Sequence, residues 1–147
     1  MNAITENLRI ERPTFTRLYM DFAMALSHRS DCKRRSVGAV VTDSAFTKVY
    51  AHGYNGGAAG QGCSCTGEQG NCGCVHAEMN ALLKCSTEDK QKILFCTVFP
   101  CKLCAKMIVN SGFIKVYFAG EYRDAPVSDE ILKAANIEVI CMRDFYV

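Results

Sequence analysis

His76-Ala77-Glu78 is followed, 22 residues after Glu78, by Pro100-Cys101-Lys102-Leu103-Cys104. These residue types could hold a metal ion and move a proton beside it. Zn²⁺ favours Cys sulfur and His nitrogen in a tetrahedral site, and a catalytic site keeps its fourth position for water. His76, Cys101 and Cys104 supply three ligands and leave that position open, while Glu78 remains as a carboxylate the metal does not need. That inventory suits making hydroxide at neutral pH and moving its proton. Two thiolates and a neutral imidazole cancel the metal's charge, so added hydroxide makes the cluster anionic and favours a protonated group nearby.

The spacing also constrains geometry. At about 100° per residue, Cys101 and Cys104 would lie about 60° apart on a helix, close enough to grip one ion. Pro100 is the residue type preferred in a first helical turn, which would put both cysteines near an N-terminus. There the unpaired N–H groups and the macrodipole favour thiolate over thiol. His76 and Glu78 would be about 200° apart on an ideal helix, so they can converge only on a point off its N-terminal end. The polar, glycine-rich stretch before His76, followed by Ala77, Ala81, Leu82 and Leu83, predicts a helix beginning there and reaching about Cys85. A structural zinc site or unrelated core cysteines would explain either motif alone; the two joined argue against both.

The elements that must position these residues follow from periodicity. Leu18, Phe22, Ala25 and Leu26 predict a helix over Phe15 to His28. Ser36 to Val41 reads as a buried strand, Asp43 and Ser44 as a turn, and Thr47 to His52 as the return strand of a hairpin. Gly53 to Gly73 has no core pattern and reads as a loop. A strand over Ile93 to Phe99 leads into the Cys101 helix, which Gly112 should stop. Lys115 to Ala119 is a further strand, Val127 to Ala135 a helix and Ile137 to Cys141 a last strand. Alternating strands and helices after a hairpin imply right-handed crossovers. The expected fold is α/β: a five-stranded mixed sheet with helices on both faces, in one domain over residues 1–147. The metal should sit at one edge of the sheet, between two helix N-termini. His52 and His28 read as structural, and Cys85, Cys96 and Cys141 as core.

Bulk properties narrow the function classes. A hydrophobic content of 49% with 22% charged residues describes a globular chain. The net charge of +2 is too mild for a nucleic-acid track, and Lys33-Arg34-Arg35 reads as a solvated or phosphate-facing turn. Met1 to Arg12 is polar and lacks a signal peptide's apolar core, and no apolar run approaches a membrane span. Ten cysteines without a secretion signal point to metal ligation in a reducing compartment, hence the cytoplasm, that of a host if the source is viral.

H-x-E paired with P-C-x-x-C is the established signature of zinc-dependent nucleobase deaminases, so this assignment is a match to a known pattern. From about Ser27 to Cys141 the chain resembles the deoxycytidylate (dCMP) deaminases of bacteria and their viruses, within the cytidine deaminase superfamily and its three-layer α/β/α fold. The resemblance runs through Ser36-Val37-Gly38-Ala39-Val40-Val41, Gly53-Tyr54-Asn55-Gly56, His76-Ala77-Glu78-Met79-Asn80-Ala81, Phe99 to Lys106, and Glu121-Tyr122-Arg123. It implies hydrolysis of dCMP to dUMP and ammonia, supplying dUMP for thymidylate synthesis. Glu78 would take a proton from water, deliver one to N3 and help protonate the departing amine. Asn55 would contact the nucleotide near its sugar, although Asn-Gly is also a common turn pair. Tyr122 would lie near the phosphate, with Arg34 and Ser30 as further candidate contacts.

Cys63, Cys65, Cys72 and Cys74 form a C-x-C-x₆-C-x-C array just before His76. Some relatives hold a second, structural zinc with this loop and a cysteine at the position of Cys32. Five candidates for four places leaves the ligand set open, and loose thiols are the alternative. The resemblance further implies a hexamer activated by dCTP and inhibited by dTTP, with Mg²⁺ accompanying the triphosphate. Gly56, Gly57 and Gly60 mark the expected effector segment, though the run is no P-loop. The rivals are a deaminase of a free nucleoside, base or tRNA adenosine, and a non-catalytic zinc-stabilised binding protein.

Overall fold

The computed structural model describes residues 11–146, so most of the polar segment Met1 to Arg12 lies outside the described residues. Helix α1 spans Phe15–Ser27, with Thr14 as its N-cap accepting a hydrogen bond from the Arg17 N–H at 3.2 Å. Strands β1 (Gly38–Thr42) and β2 (Val49–Tyr54) form the expected antiparallel hairpin. The return strand begins two residues later than its sequence pattern predicts, and the reason is local. The Asp43 carboxylate accepts from the N–H groups of Thr47 at 2.7 Å and Lys48 at 2.8 Å, which keeps both out of the ladder. At its other end β2 runs on through Gly53 and Tyr54, and Gly56 then pairs with Val75, so the expected loop starts later.

Helix α2 spans Ala77–Lys84, β3 Lys92–Val98 and α3 Lys102–Asn110. Gly112, at φ +78°, ends the α3 segment in the left-handed conformation that glycine adopts without strain. Strand β4 (Phe113–Gly120), helix α4 (Ala125–Ala134) and strand β5 (Glu138–Cys141) complete the described fold before a short 3₁₀ turn.

The sheet order is β2-β1-β3-β4-β5, with β1 antiparallel to β2 and β3, and β3, β4 and β5 parallel. Strand β3 is buried along its whole length, as a central strand covered on both faces must be. Its Leu94 and Cys96 join Ala77, Ala81, Ala105 and Ile108 on the face of α2, α3 and α4. The alternate residues Ile93 and Phe95 pack with Met20 and Ala23 of α1 on the other. The five-stranded mixed sheet with helices on both faces therefore stands.

The two helix N-termini open past the carboxyl end of β3, the middle strand, which α3 directly follows. One placement differs from expectation. Cys141 is exposed and not core, since β5 is itself a border strand.

Glycine sets how closely α2 approaches the sheet. A Cβ on Gly53 would lie 2.5 Å from the Ala77 carbonyl oxygen and 2.6 Å from the Ala81 nitrogen. Gly53→Ala should therefore push α2 off β2 and lower unfolding free energy by about 1–3 kcal/mol. Urea titration measures this, and an unchanged midpoint would contradict so close a packing.

Candidate active site

His76 and Cys101 are both N-cap residues, which settles how motif residues at awkward helical angles converge. His76 has extended backbone (φ −71°, ψ 154°) and its side chain makes no capping bond, so the imidazole is free to project past the end of α2. Cys101 has φ −69° and ψ 166°, and its sulfur accepts the Cys104 N–H at 3.5 Å. Pro100 accordingly precedes the cap and does not occupy the first turn. Cys104 lies one turn into the helix and is buried.

The His76 Nδ1 is 3.5 Å from the Cys101 Sγ and 3.4 Å from the Cys104 Sγ, and all three donor atoms lie within 4.8 Å of one another. Bonds of about 2.3 Å to sulfur and about 2.0–2.1 Å to nitrogen, at tetrahedral angles, require an S···N edge of about 3.5 Å. The donor set therefore fits zinc in chemistry and in size. Hydrogen bonds from Cys104 and contact with His76 pull the Cys101 thiol down to about 4. Cys104 is pushed up by Cys101 and by burial, and His76 is raised by its contact with Cys101.

Glu78 is only 5% exposed, and burial raises its carboxyl above the ordinary range. It lines a cavity of about 380 Å³ together with His76 and Cys101. Arg34, Arg35 and Arg123 line the same cavity, as do Tyr122 and Asn55. Sequence patterns did not single out Arg35 or Arg123. The signals were present: Arg35 closes the basic trio before β1, and Arg123 adjoins Tyr122. Arg35 also donates to the Glu121 carbonyl at 3.0 Å, tying the segment before β1 to the one after β4.

Asn55 ties two backbone segments together and also borders the cavity. Its Oδ1 accepts the Val37 N–H at 2.8 Å and its Nδ2 donates to the Arg35 carbonyl at 2.7 Å, while the residue still borders the cavity. Ser30 does not line the cavity; its hydroxyl accepts the Cys32 N–H at 3.2 Å and caps the turn leading to the cysteine cluster. Gly56, Gly57 and Gly60 are likewise outside the lining, and the backbone of Gly56 is engaged with Val75 in both directions at 3.1 and 2.8 Å.

A second group of donors is formed by Cys32, Cys65, Cys72 and Cys74, again within 4.8 Å. Cys32 lies 3.8 Å from Cys65 and 3.9 Å from Cys72, close to the S···S edge of about 3.8 Å that a tetrahedral zinc thiolate site needs. Cys63, the fifth candidate, is exposed and donates to the Asp31 carbonyl at 3.0 Å. The Lys33 N–H leads in pulling Cys65 down to about 6, whereas burial raises Cys74.

Comparison with known proteins agrees with this arrangement. Residues 13–120 match the family described as the cytidine and deoxycytidylate deaminase zinc-binding region. The chain belongs to the cytidine and deoxycytidylate deaminase family. Among family members, it is 36% identical to the deoxycytidylate deaminase of Mycobacterium phage D29, over 76% of this chain and 99% of that one. It is 34% identical to ComE operon protein 2 of Bacillus subtilis, over 88% and 72%. A dCMP deaminase from the cyanophage S-TIM5, solved with dCMP and dUMP, superposes with a TM-score of 0.78 at 38% identity, covering 90% of this chain and all of that one. The chain spans only 44% and 45% of the two yeast deoxycytidylate deaminases it also matches.

In this family member Asn55 clamps the segment before β1 that carries Arg35. Asn55→Ala leaves the Val37 N–H without its acceptor and should cost about 1–3 kcal/mol of stability. A denaturation midpoint equal to that of the unaltered protein would show the clamp to be dispensable.

Proposed function

We propose that this protein is a single-domain hydrolase that converts dCMP to dUMP and ammonia, with zinc held by His76, Cys101 and Cys104. The observation that carries the reading is the pairing, in one cavity, of a buried, unligated Glu78 beside the ligand trio with three arginines. The cyanophage relative solved with dCMP and dUMP supports the same substrate. Zinc supplies a Lewis acid that brings water's pKa to near neutrality.

The remaining work falls to the chain's own groups. Glu78 accepts the proton that water gives up as its oxygen adds to C4 of the cytosine ring. It passes that proton to N3, then takes the remaining proton of the new C4 hydroxyl and hands it to the C4 amine. The C4–N bond breaks, ammonia leaves and the uracil carbonyl remains. A carboxyl raised by burial near an anionic cluster can hold the proton between these steps. Arg34 offers charge-assisted donors to the 5′-phosphate, Arg123 adds a further one, and the Tyr122 hydroxyl from the same lining a neutral one. Asn55 retains one amide hydrogen for the sugar after its two backbone bonds.

A free nucleoside or base would bring no anion to Arg34, the cavity arginine whose side chain makes no hydrogen bond or ion pair among the described residues, which favours the monophosphate. Glu78 has no use in a purely structural zinc protein. Cys32, Cys65, Cys72 and Cys74 would hold a second, structural zinc, with Cys63 left out. Activation by dCTP, inhibition by dTTP, a Mg²⁺-bound effector, hexameric assembly and supply of dUMP for thymidylate synthesis extend the reading and rest on the family resemblance. A monomer whose rate ignores dCTP would remove the regulatory part alone.

Ammonia release should be seen with dCMP and be far weaker with deoxycytidine; equal rates would refute the monophosphate assignment. Glu78→Gln should keep its zinc and lose about 10²–10⁴-fold in kcat. Elemental analysis should find two zinc equivalents per chain, unchanged in Cys63→Ser and reduced to one in Cys65→Ser. One equivalent in the unaltered protein would eliminate the second site.

A further inference from the structure

The four-cysteine cluster lies at the root of a short tip that reaches the catalytic cavity. Between Cys65 and Cys72 the chain makes a tight turn, with the Asn71 N–H donating to the Glu68 carbonyl at 3.3 Å and the Thr66 N–H to the Cys72 carbonyl at 3.0 Å. Gly70 takes φ +77° at the third position of that turn, where glycine is the residue of choice. A Cβ on Gly70 would strike the Arg123 guanidinium, so the tip and Arg123 are in close contact. Gln69, Gly70 and Asn71 line the same cavity as Glu78. One hydrogen of the Asn71 amide goes to the Glu68 carboxylate at 3.3 Å. The Gln69 side chain makes no hydrogen bond among the described residues, and it borders a cavity containing three arginines.

We propose that Gln69 is a specificity-determining residue for the nucleotide, held in place by the four-cysteine cluster acting through the tip. The inference rests on the monophosphate deaminase reading above. A carboxamide supplies two donors and an acceptor, which suits the phosphate or sugar hydroxyl at the polar end of a nucleoside monophosphate. The tip has little apolar contact to fix it, so its position depends on the clasp at its root. On this view the cluster serves the pocket as well as the fold. Its three parts are joined to three segments of the site: Cys32 precedes Arg34, Cys65 and Cys72 bracket the tip, and Cys74 precedes His76.

The test compares Gln69→Ala, Cys72→Ser and the double variant, each assayed with dCMP and titrated with dUMP by calorimetry. Gln69→Ala should raise KM for dCMP about tenfold, the worth of one hydrogen bond to a charged group, with a smaller loss in kcat. Its zinc content should not change, and the dUMP dissociation constant should rise with KM. Cys72→Ser should weaken dUMP binding at least as much, and adding Gln69→Ala to it should cost little more, because both act through one tip. Should Cys72→Ser fail to fold, Gly70→Ala replaces it, since it displaces Arg123 from the tip and keeps all four thiols. Unchanged KM and dUMP affinity in Gln69→Ala, or additive losses in the double variant, overturn the inference alone. Unaltered protein that handles deoxycytidine as readily as dCMP overturns the monophosphate reading and this inference with it.

Discussion

Everything functional here depends on two helix N-termini meeting beyond the carboxyl end of one buried strand. The S···N separations of 3.4 and 3.5 Å exist only while α2 and α3 keep their angle and offset relative to β3. Packing provides that rigidity. Ala77, Ala81 and Ala105 present small side chains to the sheet, and Gly53 lets the backbone of α2 approach more closely still. Strand β3 is fully buried between neighbours on both sides, so it has little freedom to shift register. Close-packed interiors transmit displacement and do not absorb it, which is why small residues far from the ion matter to its cage.

The placement of ligands at cap positions carries its own logic. A cap residue has extended backbone, so its side chain leaves the helix axis and can share a target with a residue in the first turn. His76 and Glu78 could not share a target from within a helix, and neither could Cys101 and Cys104 enclose an ion as tightly. The unpaired N–H groups at both N-termini add positive potential where thiolates gather. The cavity thus joins the cationic groups of Arg34, Arg35 and Arg123 with His76, Cys101 and Glu78 in one lining, and burial raises the Glu78 carboxyl.

The ligand trio was legible because its information is local: cap chemistry and a three-residue spacing need no tertiary contact to interpret. Strand and helix identities were legible for the same reason. Boundaries slipped where a side chain competed with the ladder, as Asp43 does by taking the N–H groups of Thr47 and Lys48. Choosing four cysteines from five was not legible. Nothing in C-x-C spacing tells that Cys63 will turn to the Asp31 carbonyl while Cys32, from another segment, completes the group. Arg35 and Arg123 were legible only as members of a basic trio and of a segment shared with the family, and Gln69 not at all, since polar residues acquire meaning only when the fold brings them to one cavity. Ser30 is the opposite case: a residue type suited to phosphate, it accepts the Cys32 N–H and does not line the cavity.

The two donor clusters are not independent features of the chain. Val75 alone separates Cys74 of one from His76 of the other, and the Val75 backbone is itself fastened to Gly56 on both its N–H and its carbonyl. Cys32 stands two residues before Arg34, whose neighbour Arg35 is fixed at its carbonyl by Asn55. A displacement at the four-cysteine group therefore has short covalent routes to the imidazole ligand and to the arginine side of the cavity. A loop with so few apolar residues cannot fix itself by burial, and thiolates gathered on a metal are one of the few ways a short polar segment can be made rigid. A rigid point two residues before His76 would let one element both complete the fold and shape the pocket.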